Sequence, residues 1–201
     1  MMVIRIFIVL LVLFTANTKV LAAEEPRAVI QALCDQLQEV MKRGPALGMK
    51  GRADFLRPVL AKAYDMMAMT RSTLGAKAAE KLSEEERSRL AAAYSRFSVA
   101  TYADQFAAWD GERFVVGETA PAADGMRVVS TQIVPSSGAP TRIDYLMHEV
   151  AGSWKIVDVL FDGVISQVAV RRSEFIPIFR RDGLAALIAL LDERSLALES
   201  R

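Results

Sequence analysis

The sequence predicts an α+β fold: helices, then a curved antiparallel meander of four strands, then helices returning to the same face of the sheet. Three observations carry this. The apolar period changes from near 3.6 to 2 after Asp110-Gly111, and back to 3.6 after Asp162-Gly163. The period-two runs are joined by short connections rich in turn residues. The chain of 201 residues, 52% of them hydrophobic, can bury the core of one domain.

Residues 1–23 stand apart from that core. They carry a basic Arg5, an apolar run over 6–14 and small residues at Ala22 and Ala23. This is the pattern of a secretory signal peptide cleaved after Ala22 or Ala23. A retained anchor is the alternative, with Lys19 close to the cleavage point. Of the 25 Lys and Arg residues, Arg5 and Lys19 fall in the leader, which leaves 23 against 24 acidic ones. No basic excess points to nucleic acid. A single cysteine, Cys34, excludes an internal disulfide, so stability rests on the apolar core of 24–201.

The helical part of that domain spans 24–110. Over 26–41, Val29, Ile30, Leu33, Leu37, Val40 and Met41 recur at helical spacing behind Pro26. Gly44-Pro45 is expected to stop this helix, and the glycines at 44, 48 and 51 to form a loop. A second helix is expected over 52–63, with Pro58 near its first turn. Tyr64-Asp65 breaks the pattern, and a short third helix over 66–74 closes at Gly75. Ser83 followed by Glu86 is a capping box that opens a long helix to about residue 109. Leu90, Tyr94 and Phe97 lie on one of its faces, Val99, Tyr102, Phe106 and Trp109 on the other, so it is bent or covered twice. Its alanines at 91–93, 100, 103, 107 and 108 would widen a gap beside it.

Strands are expected over 113–118, 126–134, 141–150 and 153–161, within a sheet region of 111–162. Helices are expected over 164–181 and 184–194, parted by Gly183, within 163–195. At the junction, Ile165, Val168, Phe175 and Phe179 lie near one face, so a buried strand hands over to a helix that folds back on the sheet.

The search for chemistry finds no catalytic residues. His148 is the only histidine, no second thiol accompanies Cys34, and no zinc site, triad or phosphate loop can be assembled. No metal or cofactor is implied. Met66, Met67 and Met69, with aromatic residues on the long helix and the sheet, suit either a core or an adaptable apolar cavity. Arg171-Arg172 and Arg180-Arg181 suit either a solvated face or lipid phosphates and an acidic partner at a cavity mouth.

The segments YDMMAMTRSTLG (64–75), SEEERSRLAAAYSRFSVATYADQF (83–106), WKIVDVLFDGVISQVAVRRSEF (154–175) and GLAALIALL (183–191) resemble the MlaC, or toluene-tolerance, family of periplasmic lipid-binding proteins. VATYADQF, GERF and VDVLFDGVISQVAVRRSEF look most like the hopanoid-associated branch called HpnM. The resemblance covers about 29–191. It implies a monomeric, non-enzymatic periplasmic carrier that holds acyl chains, or a hopanoid, between sheet and helices. It would shuttle lipid between an inner-membrane transporter and an outer-membrane lipoprotein or porin complex. Carried onto this chain, Tyr64, Met67, Phe97, Tyr102, Phe106, Tyr145, Val157, Val159 and Phe175 are the lipid-binding candidates, and Arg71 and Arg172 would meet a head group or a partner.

Two alternatives accompany this reading. One is a structural adaptor of a membrane transporter with a filled core. The other is an enzyme on a ketosteroid-isomerase-like cone, with Asp144 or Asp158 beside Tyr145. Strand alternation puts Asp144 and Tyr145 on opposite faces, which counts against that pair.

Overall fold

The computed structural model describes residues 25–200; the leader expected over 1–23 lies outside them. Helix α1 (Pro26–Ala63) is followed by α2 (Met66–Leu74), a single turn α3 (Ala76–Ala79) and α4 (Glu84–Gln105). Strands β1 (Arg113–Pro121), β2 (Arg127–Val134), β3 (Thr141–Val150), β4 (Ser153–Phe161) and β5 (Ile165–Ser166) pair in that order, all antiparallel. Helix α5 (Gln167–Glu199) ends the described chain. No helix among the described residues is long and apolar enough to cross a membrane.

The expected stop at Gly44-Pro45 does not occur. Pro45 lacks the N–H that would reach Met41, but the helix runs on and turns only at Gly48 (φ 63°, ψ 178°). The reason lies in packing around Gly44. A Cβ there would sit 1.9 Å from the Ala107 carbonyl oxygen, so the missing side chain lets α1 touch the chain leaving α4. Arg52, beyond the bend, donates to the Ala103 carbonyl (2.7 Å) and the Gly44 carbonyl (3.1 Å) and clamps the two halves of α1 to α4. Pro58 consequently lies inside the second half of α1 rather than near its start.

The capping box forms as the spacing requires: the Glu86 amide donates to Ser83 Oγ (3.1 Å), and the Ser83 amide to Glu86 Oε2 (2.8 Å). Helix α4 ends four residues earlier than expected, at Gln105. It is covered by α1, α2 and α5, and its alanines serve that contact. Ala93, Ala100 and Ala103 are completely buried and bring neighbours close instead of widening a gap.

The sheet has five strands, not four. At the turn after β4, Asp162 (φ 52°) and Gly163 (φ 72°) both adopt left-handed backbone, and Ile165 and Ser166 pair with Phe161 and Leu160. The short apolar run after Gly163 fits both periods, which is why a helix from 164 was expected. Helix α5 starts at Gln167, capped by Ser166, whose Oγ accepts from the Ala169 amide (2.9 Å). It is interrupted at Gly183 (φ 82°), as the sequence suggests, and then continues to Glu199 against α4, where Arg96 holds Asp192 at 2.6 Å.

One row of the helix-facing side of the sheet is Val129, Tyr145 and Val159, directly opposite one another. They join Ile30, Leu33, Leu37, Leu56, Leu60, Phe175, Leu187 and Leu191 in one buried cluster. A Gly44→Ala substitution forces a methyl into the Ala107 carbonyl. It should destabilise the fold by about 2 kcal/mol or more, read as a lower urea midpoint.

Candidate functional site

A cavity of about 190 Å³ lies where four helices meet the sheet. The end of α1 contributes Leu60 and Tyr64, and α2 contributes Met66 and Met69. Helix α4 adds Tyr94, Phe97, Ser98, Thr101, Tyr102 and Gln105; β4 adds Val159 and Phe161, and α5 adds Gln167 and Arg171. Ser98 and Thr101 turn their hydroxyls back onto the carbonyls of Tyr94 and Phe97, at 2.8 Å each, so both are satisfied within their own helix. The lining mixes apolar groups with hydroxyls, two glutamines and one guanidinium, and is less uniformly apolar than the sequence suggested.

The Tyr64 and Tyr102 hydroxyls bond to each other, with their rings edge to face at 6.0 Å. Burial pushes the Tyr94 and Tyr102 phenols up to about 12 and holds those of Tyr64 and Tyr145 well above the usual range. Burial, reinforced by Asp35, likewise pushes the Cys34 thiol up to about 12, the signature of an inert core thiol.

Arg171 is the cation of the cavity. Its guanidinium lies 4.8 Å from the centre of the Phe97 ring and 3.2 Å from Glu174 Oε2. The same Glu174 oxygen also meets Arg194 at 2.9 Å. Burial alone would raise the Glu174 carboxyl, but Arg194 and Arg171 together hold it below the usual glutamate range.

Of the residues named from the sequence, Tyr64, Phe97, Tyr102 and Val159 come together on this wall. The others are placed elsewhere. Phe175 is buried behind Tyr94, whose ring it meets edge-on at 6.2 Å. Tyr145 is buried in the core, and Phe106 packs between Tyr102 and Phe114. Met67 is 41% exposed on the other side of α2 from the cavity. Val157 is displaced by a bulge: Leu146 pairs with Asp158 but Met147 pairs with Ile156, so Val157 has no partner and Ile156 takes the buried place. Arg71 and Arg172 border a separate groove outside α2. The signal for Arg171 was present in the Arg171-Arg172 pair. Helical phase separates the two, since Arg171 follows Gln167 by one turn.

The two acids considered for catalysis have structural work. Asp144 is held by Arg142 through two hydrogen bonds of 3.0 and 2.7 Å. Asp158 accepts from Ser166 Oγ and from the Val168 amide (3.0 Å), and so caps α5. Among the described residues no three His, Cys, Asp or Glu side chains are grouped to hold a metal ion.

The family model for the MlaC protein matches residues 31–193. The chain belongs to the MlaC family. It is 25% identical over 187 residues to the toluene tolerance protein ttg2D of Pseudomonas putida, an alignment covering 89% of this chain and 83% of that protein. Its fold is similar to that of a phospholipid-binding protein from Ralstonia solanacearum, solved in complex with a phospholipid. The TM-score is 0.74 at 20% identity, over 87% of this chain and 98% of that one. This MlaC-family chain places its cavity between the C-terminal half of α4 and the strand β4, with Arg171 of α5 on the wall.

All four tyrosines have raised phenol pKa values. In the unfolded chain they ionise near the ordinary value of about 10, so this contribution to stability is complete below that pH. It is lost as pH rises through the folded values, about 12 for Tyr94 and Tyr102. Tyrosinate absorbance should therefore stay flat past pH 10 in the native protein and then rise together with loss of helical circular dichroism.

Proposed function

We propose that this protein is a periplasmic lipid carrier that takes an acyl chain into the cavity bounded by Tyr64, Met66, Phe97, Tyr102 and Val159. Membership of the MlaC family supports lipid binding, and the phospholipid carried by the Ralstonia protein of similar fold supports the ligand class. The observation that carries the reading is a cavity between helices and sheet with one guanidinium, Arg171, beside its apolar wall. Burying one CH₂ is worth about 0.8 kcal/mol, so a chain of about 15 such groups loses on the order of 12 kcal/mol in bare water. A protein that encloses the chain removes most of that barrier without a chemical step.

The cavity of about 190 Å³ is smaller than the roughly 300–1,000 Å³ of ordinary ligand sites. It is a seed that a flexible chain enlarges, with Met66 and Met69 as adaptable walls. This favours a phospholipid chain over a hopanoid, whose rigid fused rings need a wide cavity already formed. The HpnM-like stretch over 157–175 is what supports the hopanoid. Arg171 is the head-group contact: a lipid phosphate takes the place of Glu174, which keeps Arg194. The expected signal peptide delivers the protein to the periplasm, where it exchanges lipid with an inner-membrane transporter and an outer-membrane acceptor.

Native mass spectrometry of protein purified from a periplasm should show phospholipid at near one per chain. Ser98→Phe, which fills the cavity, should abolish loading while the fold is retained. Arg171→Gln should lower retention of anionic phospholipid roughly ten-fold. Bound hopanoid would reassign the cargo, and a mass that stays bare after incubation with both lipids would leave the adaptor.

A further inference from the structure

Outside α2, on the side away from Met66 and Met69, lies an open groove of about 640 Å³. It is bordered by Arg71 from α2, Arg87 from the first turn of α4 and Arg172 from α5, with Met67 and His148 among them. Two of the guanidinia are pinned by backbone. Arg172 donates to the Ser72 carbonyl (2.8 Å) and Arg87 to the Leu82 carbonyl (2.5 Å), which leaves further N–H donors on each. Arg172 passes over Gly75, whose left-handed backbone (φ 82°) turns the chain out of α2.

The acidic groups nearby do not neutralise these charges. Glu80 is 3.8 Å from Arg71, with both side chains mostly exposed, and such a pair is worth little. Asp65 is occupied, accepting from the Ala68 amide (2.8 Å) with one oxygen and bonded to His148 Nε2 (2.9 Å) with the other. Three fixed or half-fixed guanidinia therefore face solvent around one exposed methionine. Arginine and methionine are both enriched at protein interfaces.

We propose that this groove docks an acidic segment of a partner protein, with an apolar side chain seated on Met67. The neighbourhood disfavours a flat anionic membrane, because Glu84 and Glu85 are exposed in the same helical turn that carries Arg87. A narrow acidic segment reaches the arginines without meeting those carboxylates. The proposal does not depend on what fills the cavity, since Arg71 and the cavity-lining Met66 and Met69 lie on different sides of α2.

The test is fluorescence anisotropy with a labelled peptide of glutamates flanking a pair of leucines. Parallel arms use the same peptide with lysines for glutamates, phosphatidylglycerol vesicles and inorganic phosphate. The acidic peptide should bind and weaken with salt, and the lysine peptide should not bind. Among the described residues Arg71 is held only by the long pairing with Glu80, so Arg71→Glu should fold normally, which its unfolding midpoint checks. It should lower peptide affinity roughly three- to five-fold. Adding Arg172→Gln should lower it further, while lipid loading read by mass spectrometry stays unchanged. Absence of peptide binding, binding indifferent to Arg71→Glu, or arginine-dependent binding of vesicles or phosphate without the peptide would overturn the proposal.

Discussion

The junction at Tyr64 and Asp65 registers the helical layer on the sheet. Strand β5 pairs only with Leu160 and Phe161, so the rest of that edge of β4 is open. Tyr64 fills it with a parallel bridge to Ile156, and the Asp65 amide donates to the Ile156 carbonyl (2.9 Å). An unpaired strand edge is thereby covered. Asp65 also caps α2 and bonds His148 on β3, while the Tyr64 hydroxyl bonds Tyr102 on α4. Two adjacent residues thus tie α1, α2, α4, β3 and β4 together. The cavity is the space these ties leave beside them.

That arrangement explains how a pocket and a stable fold coexist. The firmest packing lies away from the cavity, in the part of the core that holds Ile30, Leu37, Leu56, Met147 and Ile156, all fully buried. Around the cavity the contacts are softer: methionine side chains, two tyrosines sharing one hydroxyl bond, and an arginine whose counter-ion has a second partner. Such contacts can be rearranged at modest cost, unlike a close-packed core. Helix α2 separates this soft interior from the arginine-lined groove outside.

Much of the fold was legible in the sequence because it rests on local rules. The capping box at Ser83, the Gly75 stop, the glycine interruption at 183 and the turns at 151–152 and 162–163 each follow from one or two residues. What could not be read depended on distant contacts. Gly44 and Pro45 look like a helix stop, and only the Ala107 carbonyl shows why a glycine is needed inside a continuing helix. The family resemblance named Val157 together with Val159, and only the partner strand shows the bulge that takes Val157 out of the buried row. For the cavity, helical phase put Phe97 and Tyr102 on opposite faces of α4, and only the packed structure brings both to one wall. Arg171 and Arg172 differ by helical phase, but which phase faces the cavity is set by neighbours far along the chain: the Phe97 ring for Arg171 and the Ser72 carbonyl for Arg172.

The central claim is that an acyl chain lies between α2 and β4, against one side of a helix whose methionines face both ways. Methyl-labelled methionine NMR with a proton-bearing phospholipid chain reads this directly. The account predicts nuclear Overhauser contacts from the chain to the Met66 and Met69 methyls and none to Met67. Contacts to Met67, or no contact to any of the three in a lipid-loaded sample, would contradict it.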